Sequence, residues 1–297
     1  MSSVHPLNFH DGLNKGVAPV TYGQGDRPPR GDYSSAAVDY TCDQQWHRYT
    51  DAEHALYRRL HARQCSQLQG LACQEFIDAV GYLGSPEEIP KFDDVNERLY
   101  PATGWSLVAV PGLIPEEAFF ALLAQRRFPV THWIRREEEF DYVVEPDVFH
   151  DLFGHVPLLF NPVFADYMQA YGQGGLKASR LQACDMLARL YWYTVEFGLI
   201  QTPTGLRAYG AGILSSSGEL PHSVQSSEAV RLGFDLSRIM RTRYRIDCYQ
   251  ASYFVIQSFD QLFEATEQDF APIYGRLRSL PLLDAGEILP AEQKLPC

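Results

Sequence analysis

No apolar run in the 297-residue chain approaches the roughly 18–20 residues needed to cross a bilayer. The longest, around Trp105–Ile114, is broken by Pro111 and Gly112. The N-terminus, MSSVHPLNFHDG, lacks the basic and apolar regions of a secretory signal. No membrane partner is expected, and the reading is cytoplasmic. Cysteine is sparse and scattered, at 42, 65, 73, 184, 248 and 297, with no CxxC pair. Reduced thiols are expected, not a disulfide framework or a zinc knuckle. Positive charge is short too: 25 Lys and Arg against 37 Asp and Glu leave a net charge of −12. Nucleic acid is therefore excluded as a partner, because phosphate binding needs clustered cations. The one dense basic stretch, RIMRTRYRID (Arg238 to Asp247), alternates its charges as a strand with one wet face does. Repeats, a dinucleotide fingerprint and a P-loop are all missing, so GQGG (Gly172–Gly175) and GAG (Gly210–Gly212) are expected as turns.

What is present is ordinary for a soluble globular protein: 45% hydrophobic and 21% charged residues, in a length that suits one large domain. Residues 1–48, rich in Gly, Pro, Ser and Asp, read as a flexible N-terminal extension. The RGD within it, Arg30–Asp32, reads as a chance match. A single catalytic domain is expected over 49–280 and a loose tail over 281–297. Thr50 and Glu53 form a capping box ahead of Leu56 and Leu60, and Phe76, Ile77, Val80 and Leu83 mark a second helical face. SPEEIP is expected to start a helix with Ser85 as cap, and IPEEAFFALL another with Pro115 in its first turn. Asn161-Pro162 and Ser258…Gln261 are further helix starts, and TGWSLVAVPG reads as a strand. The expected class is mainly α with a few short β-strands.

The stretch EPDVFHDLFGHVP holds two histidines, His150 and His155, in otherwise apolar surroundings. A zinc-protease HExxH spaces its histidines by four on one helix face and carries a glutamate base. Five apart is about 500° of a regular helix, some 140° off that face. Both can meet one ion only if the helix ends or deforms between them, and Gly154 is a natural breaker. A zinc hydrolase is disfavoured. Downstream, LARLYWYTVEFGLI is apolar and aromatic except for Arg189, Thr194 and Glu196. A buried carboxylate needs a cation, so Glu196 is either in an ion pair or the third ligand of a metal. Two histidines and one carboxylate would leave open positions on Fe(II), the arrangement by which non-haem iron activates oxygen.

EPDVFHDLFGHVPLL, LARLYWYTVEFGLI and YGAGILSSSGEL together resemble the tetrahydropterin-dependent aromatic amino acid hydroxylases, above all their short, single-domain bacterial members. The likeness runs from about Gly104 to Phe270. It implies the catalytic-domain fold of that family, mainly helical with a basket-like site. It implies Fe(II) held by His150, His155 and Glu196, a tetrahydropterin cofactor, and O2 as co-substrate. The implied reaction converts L-phenylalanine to L-tyrosine through an Fe(IV)=O intermediate, with hydroxylation of tryptophan or tyrosine as the alternative on the same scaffold. A pterin- or metal-binding protein without activity is the rival of a different class. The resemblance gives Arg135 the substrate carboxylate, steadied by Asp147, and gives Pro146, Trp192 and Phe197 the substrate ring. Gly212 lets the chain approach the substrate, and Ser215 orients the first histidine. Phe119 would stack on the pterin, Val110, Gly112, Leu113 and Ile114 would line its other edge, and Asp151 and Tyr191 would lie beside it. Val143–Val144 stands where some relatives carry Thr, so one polar contact to the substrate is in doubt. No heptad pattern follows residue 270, and a monomer is expected.

Overall fold

The computed structural model describes residues 30–296. Helix α1 (Asp51–Cys65) starts at the expected capping box. The Thr50 hydroxyl accepts from the Glu53 amide at 3.3 Å, and the Glu53 carboxylate accepts from the Thr50 amide at 2.8 Å. Leu56, Tyr57 and Leu60 line its buried face. Helices α2 (Gln74–Ala79) and α3 (Phe92–Thr103) bury Phe76, Val95 and Leu99 in the same core. Between them SPEEIP forms a turn, not the expected helix. Ser85 does accept from the Glu87 amide, but Pro90 lacks an N–H and disfavours a helical Ile89. The Ile89 amide donates instead to His54 Nδ1 at 3.1 Å.

Strand β1 (Ser106–Val110), helix α4 (Glu116–Ala124) and strand β2 (Arg127–Thr131) form a small parallel unit, with Leu107 opposite Phe128. Pro115 sits at the N-cap of α4, one position earlier than expected. Short helix α5 (Val156–Leu159) leads to the long α6 (Pro162–Arg180), capped by Asn161, whose Oδ1 accepts from the amides of Val163 and Phe164. GQGG is not a turn; it lies inside α6. A Cβ on Gly172 would strike Leu123 and Ala124, and one on Gly175 the Phe120 ring. The glycines serve the close crossing of α4 and α6, a need set by tertiary contact and invisible in local propensity.

After α7 (Cys184–Tyr191) come β3 (Gly198–Thr202) and β4 (Gly205–Ala208), an antiparallel hairpin. The GAG segment opens α8 (Ala211–Leu214) as its N-cap and first residues, so it too starts a helix where a turn was expected. Helix α9 (Glu219–Gln225), strand β5 (Val230–Gly233), helix α10 (Leu236–Ile239) and strand β6 (Ser252–Ile256) complete a four-stranded sheet in the order β4-β3-β6-β5. Helix α11 (Phe259–Thr266), capped by Ser258, packs on α6, and α12 (Phe270–Leu277) follows, burying Ile273, Tyr274 and Leu277. RIMRTRYRID is not a strand. Asp235 caps α10 there, and the buried Arg238 guanidinium reaches Glu292 (2.6 Å), Thr242 (2.7 Å) and the Glu287 carbonyl.

Of the expected N-terminal extension, residues 1–29 lie outside the described residues, as does Cys297. Residues 30–48 lie against the core: the Cys42 amide bonds the Ala109 carbonyl beside β1, Trp46 Nε1 the Ile89 carbonyl, and the Tyr33 hydroxyl the Leu113 carbonyl. The five described cysteines are all free. Among the described residues no helix is long and apolar enough to cross a membrane.

Candidate active site

His150 and His155 bound a π-helical turn, His150–His155, that runs on into α5. The sequence asked for a helix that ends or deforms, and this one deforms without ending. Its i→i+5 bonding widens the turn so that a residue five along returns to the same face. The two Nε2 atoms stand 3.2 Å apart. Gly154 is therefore no breaker; a Cβ there would lie 2.8 Å from the Ala211 carbonyl, so its job is to admit α8. A second π-helical turn, Trp192–Glu196, follows α7, and the Phe197 amide closes it on the Trp192 carbonyl at 2.8 Å. It delivers Glu196, with Oε1 3.2 Å from His155 Nε2 and Oε2 3.6 Å from His150 Nε2.

The ligand atoms of His150, His155 and Glu196 all lie within 4.8 Å of one another. Ser215 gives its one hydroxyl proton to the Ala211 carbonyl (2.8 Å), so it accepts from His150 Nδ1, also at 2.8 Å. That fixes the His150 tautomer and turns the Nε2 lone pair toward Glu196. Burial pushes His150 down to about 4, against the pull of Glu196, so the ring is neutral at pH 7. Burial works to raise Glu196, but His155, His150 and the Gly212 amide override it and hold the carboxylate ionised. Burial likewise works to lower His155, and Glu196 more than offsets it. Two imidazoles and a carboxylate converging on one point, with a neutral first histidine, are what a ferrous site with open positions requires.

These three residues line a cavity of about 1070 Å³. Of the seventeen residues singled out from the sequence, sixteen line it. The exception is Asp147, fully buried beneath Arg135. Asp147 accepts from Arg135 Nε (2.8 Å), Nη2 (2.9 Å) and the backbone amide (2.9 Å), and from the His150 amide at 3.0 Å. Burial alone would raise this carboxyl; Arg135 and the amides hold it below the ordinary aspartate range. The Nε edge of Arg135 is thus committed to Asp147 while the residue still lines the cavity. Trp192 and Phe197 face each other at 4.7 Å between ring centroids, and Pro146 lines the same wall. Gly212 packs on the Phe197 ring and the Glu196 carbonyl, so its closest approach is to the wall. Val110, Gly112, Leu113 and Ile114 form the opposite wall with Phe119, whose ring meets Tyr191 edge-on at 5.7 Å. Asp151 accepts from the Thr131 amide at 2.7 Å, and burial raises its carboxyl to about 7.

The family described as biopterin-dependent aromatic amino acid hydroxylase matches residues 19–276. The chain belongs to that family. The phenylalanine-4-hydroxylase of Ralstonia nicotianae is 60% identical over 265 residues, covering 89% of this chain and 85% of that protein. Its counterpart in Chromobacterium violaceum is 56% identical over 258 residues, covering 86% and 87%. The solved structure of the Chromobacterium violaceum phenylalanine hydroxylase bound to cobalt superposes with a TM-score of 0.87 over 88% of this chain and 95% of that one. The fold is the catalytic-domain fold of the family, mainly helical with short strands, as the resemblance implied.

Set in that family, the cavity also holds residues the sequence reading passed over. Glu116, at the start of α4, lines the wall beside Phe119. Tyr244 stacks on Trp192 at 4.3 Å and 16°, and the loop from Tyr244 to Gln250 closes that side. Glu219 and Gln250 lie buried behind it. Gln250 follows the stretch Arg238 to Asp247 that reads as a charged strand, and Glu219 ends the YGAGILSSSGEL motif, where no role attaches to it. Only the fold brings them to the site.

Proposed function

We propose that the chain is a phenylalanine 4-monooxygenase, converting L-phenylalanine to L-tyrosine with O2, Fe(II) and a tetrahydropterin. The observation that carries this reading is the convergence of His150, His155 and Glu196 beside the Arg135–Asp147 pair in one cavity. His150, His155 and Glu196 would hold the iron. The Val110–Ile114 backbone and Phe119, with Asp151 and Tyr191 nearby, would hold the pterin. Bound there, iron and pterin supply the activation of O2 and the electrons for it.

The residues of the chain do the rest by position. Arg135 presents its free edge to the amino-acid carboxylate, at an angle set by its bidentate hold on Asp147. Asp147 also receives the His150 amide, so the anchor and the first ligand are tied to one carboxylate. Trp192, Phe197 and Pro146 wall the aromatic ring and keep water from it. Residues 49–280 act as one catalytic unit, with the flanking segments at its edges. We take the protein to be a cytoplasmic monomer.

The deciding experiment loads apo-protein with Fe(II) and supplies phenylalanine, tryptophan, a tetrahydropterin and O2 together. Pterin-dependent tyrosine with little hydroxytryptophan is expected. Pterin consumed without a hydroxylated amino acid would remove the substrate assignment, and no pterin oxidation would remove the whole reading.

A further inference from the structure

Gln250 is 4% exposed and makes four hydrogen bonds at the back of the cavity wall. Its Oε1 accepts from the Trp192 indole N–H at 3.0 Å. Its Nε2 donates to the carbonyls of Arg245 (2.7 Å) and Cys248 (3.3 Å). Its backbone amide donates to Glu219 Oε1 at 3.0 Å, and that same oxygen accepts from the Tyr253 hydroxyl. An indole N–H can only donate and a carbonyl can only accept, so the amide has one orientation that satisfies all its partners. Glutamate would put an oxygen against two carbonyl oxygens, and leucine would satisfy none of them. The Trp192 ring is thus fixed at its polar edge by Gln250 and on its flanks by Tyr244 at 4.3 Å and Phe197 at 4.7 Å. Without the edge contact, nothing in these flanks prevents the indole from sliding in its own plane.

We propose that Gln250 is a positioning residue for the amino-acid substrate: it locks the Trp192 ring, and through it sets which aromatic ring the slot admits. This rests on the reading that Trp192 faces the substrate ring. Gln250 also holds the 245–248 backbone, so one amide couples the ring wall to the loop that closes it. Glu219 is the base of the clamp. Its Oε1 is satisfied by the Tyr253 hydroxyl and the Gln250 amide.

The test is a competition assay with phenylalanine and tryptophan together, run on the iron-loaded protein and on Gln250→Leu, Trp192→Phe and the double variant. Gln250→Leu is expected to raise the hydroxytryptophan-to-tyrosine ratio and the KM for phenylalanine by roughly three- to tenfold, the worth of one net hydrogen bond. The KM for pterin should stay put, since the pterin wall is untouched. Because Gln250 acts through Trp192, the double variant should match Trp192→Phe in product ratio. Independent, multiplying effects would overturn the proposal, as would an unchanged ratio in Gln250→Leu or a matching rise in the pterin KM. Should Gln250→Leu fail to fold, Gln250→Met carries the test. It fills a similar volume but offers the indole N–H no carbonyl acceptor, so a raised hydroxytryptophan-to-tyrosine ratio is expected; a wild-type ratio overturns the proposal. Neither product from the wild-type protein would instead defeat the functional reading on which the inference stands.

Discussion

On the side of the cavity assigned to the amino acid, the polar and anchoring side chains are each held by another. Arg135 is gripped by Asp147, Trp192 by Gln250 and Tyr244, and His150 by Ser215. The side assigned to the pterin is built otherwise. There Val110–Ile114 offers mostly backbone, tied by the Tyr33 hydroxyl to the Leu113 carbonyl and by Trp133 Nε1 to the Pro111 carbonyl. The Phe119 ring, edge-on to Tyr191, stands on α4, itself laid across α6. A wall of locked side chains can be broken by a single substitution at the lock. A wall of backbone can be moved only by disturbing what carries it, so its weak points lie far from the ligand.

The metal set serves both sides, and the largest effect is expected there. Glu196→Gln and His150→Ala should each lose iron and all pterin-dependent turnover, because a neutral amide or a missing imidazole leaves the site without its charge balance or its third ligand. Iron content by elemental analysis checks this; stoichiometric iron with full activity would remove these residues from the metal. Next comes the amino-acid anchor. Arg135→Lys replaces a fork by a point charge and leaves Asp147 half-satisfied. The KM for the amino acid should rise about 10- to 100-fold, a loss of ~1.4–3 kcal/mol. The KM for pterin should not move, and if both rise together the two sides are not independent.

The difference between the two sides also explains what was legible in the sequence. His150, His155 and Glu196 are chemistry-bearing side chains in apolar surroundings, and their types and spacing raised the question of a metal; Arg135, set among Arg136 and Glu137–Glu139, came from the family resemblance. The π-helical turns could be anticipated only as a need: a spacing of five demands a deformed helix, but nothing local says whether it ends or widens. Backbone recognition leaves no residue signature, so Val110–Ile114 came from family resemblance alone. Gln250 and Glu219 escaped because their partners, Trp192 and Tyr253, lie 58 and 34 residues away. The same holds for GQGG. Glycine normally weakens a helix interior, so a turn was the sound local reading, and the contact with Phe120 that overrules it is long-range.

That glycine pair gives a way to reach the pterin side from a distance. Gly175→Ala would press a methyl into the Phe120 ring on α4, next to Phe119, whereas a Cβ on Gly174 meets nothing within 4 Å. Overpacking costs ~1–3 kcal/mol, against ~1 kcal/mol gained in helix propensity. Gly175→Ala should therefore lose up to about 2 kcal/mol of stability and raise the pterin KM more than the amino-acid KM. Gly174→Ala should be neutral or slightly stabilising. Denaturant melts of the two variants decide it, and equal behaviour would mean that α4 and α6 yield where they cross.

The smallest effect is expected from Glu116, the one carboxylate at the head of the pterin wall. Burial pushes its carboxyl up to about 7, with the nearby Asp185 charge adding and Cys184 opposing. Its folded-state value is above the ordinary 4.5, so the native protein holds this proton where the unfolded chain has released it. The stabilisation is complete below about 4.5 and is lost as pH rises through about 7. Glu116→Gln is neutral at every pH and should gain on the wild-type protein between pH 5 and pH 8, by less than ~2 kcal/mol because the group is partly open to solvent. Thermal melts of both proteins at the two pH values read the gain directly. A constant difference would mean that Glu116 stays ionised, and that the pterin wall carries a fixed negative charge where a neutral acid is expected.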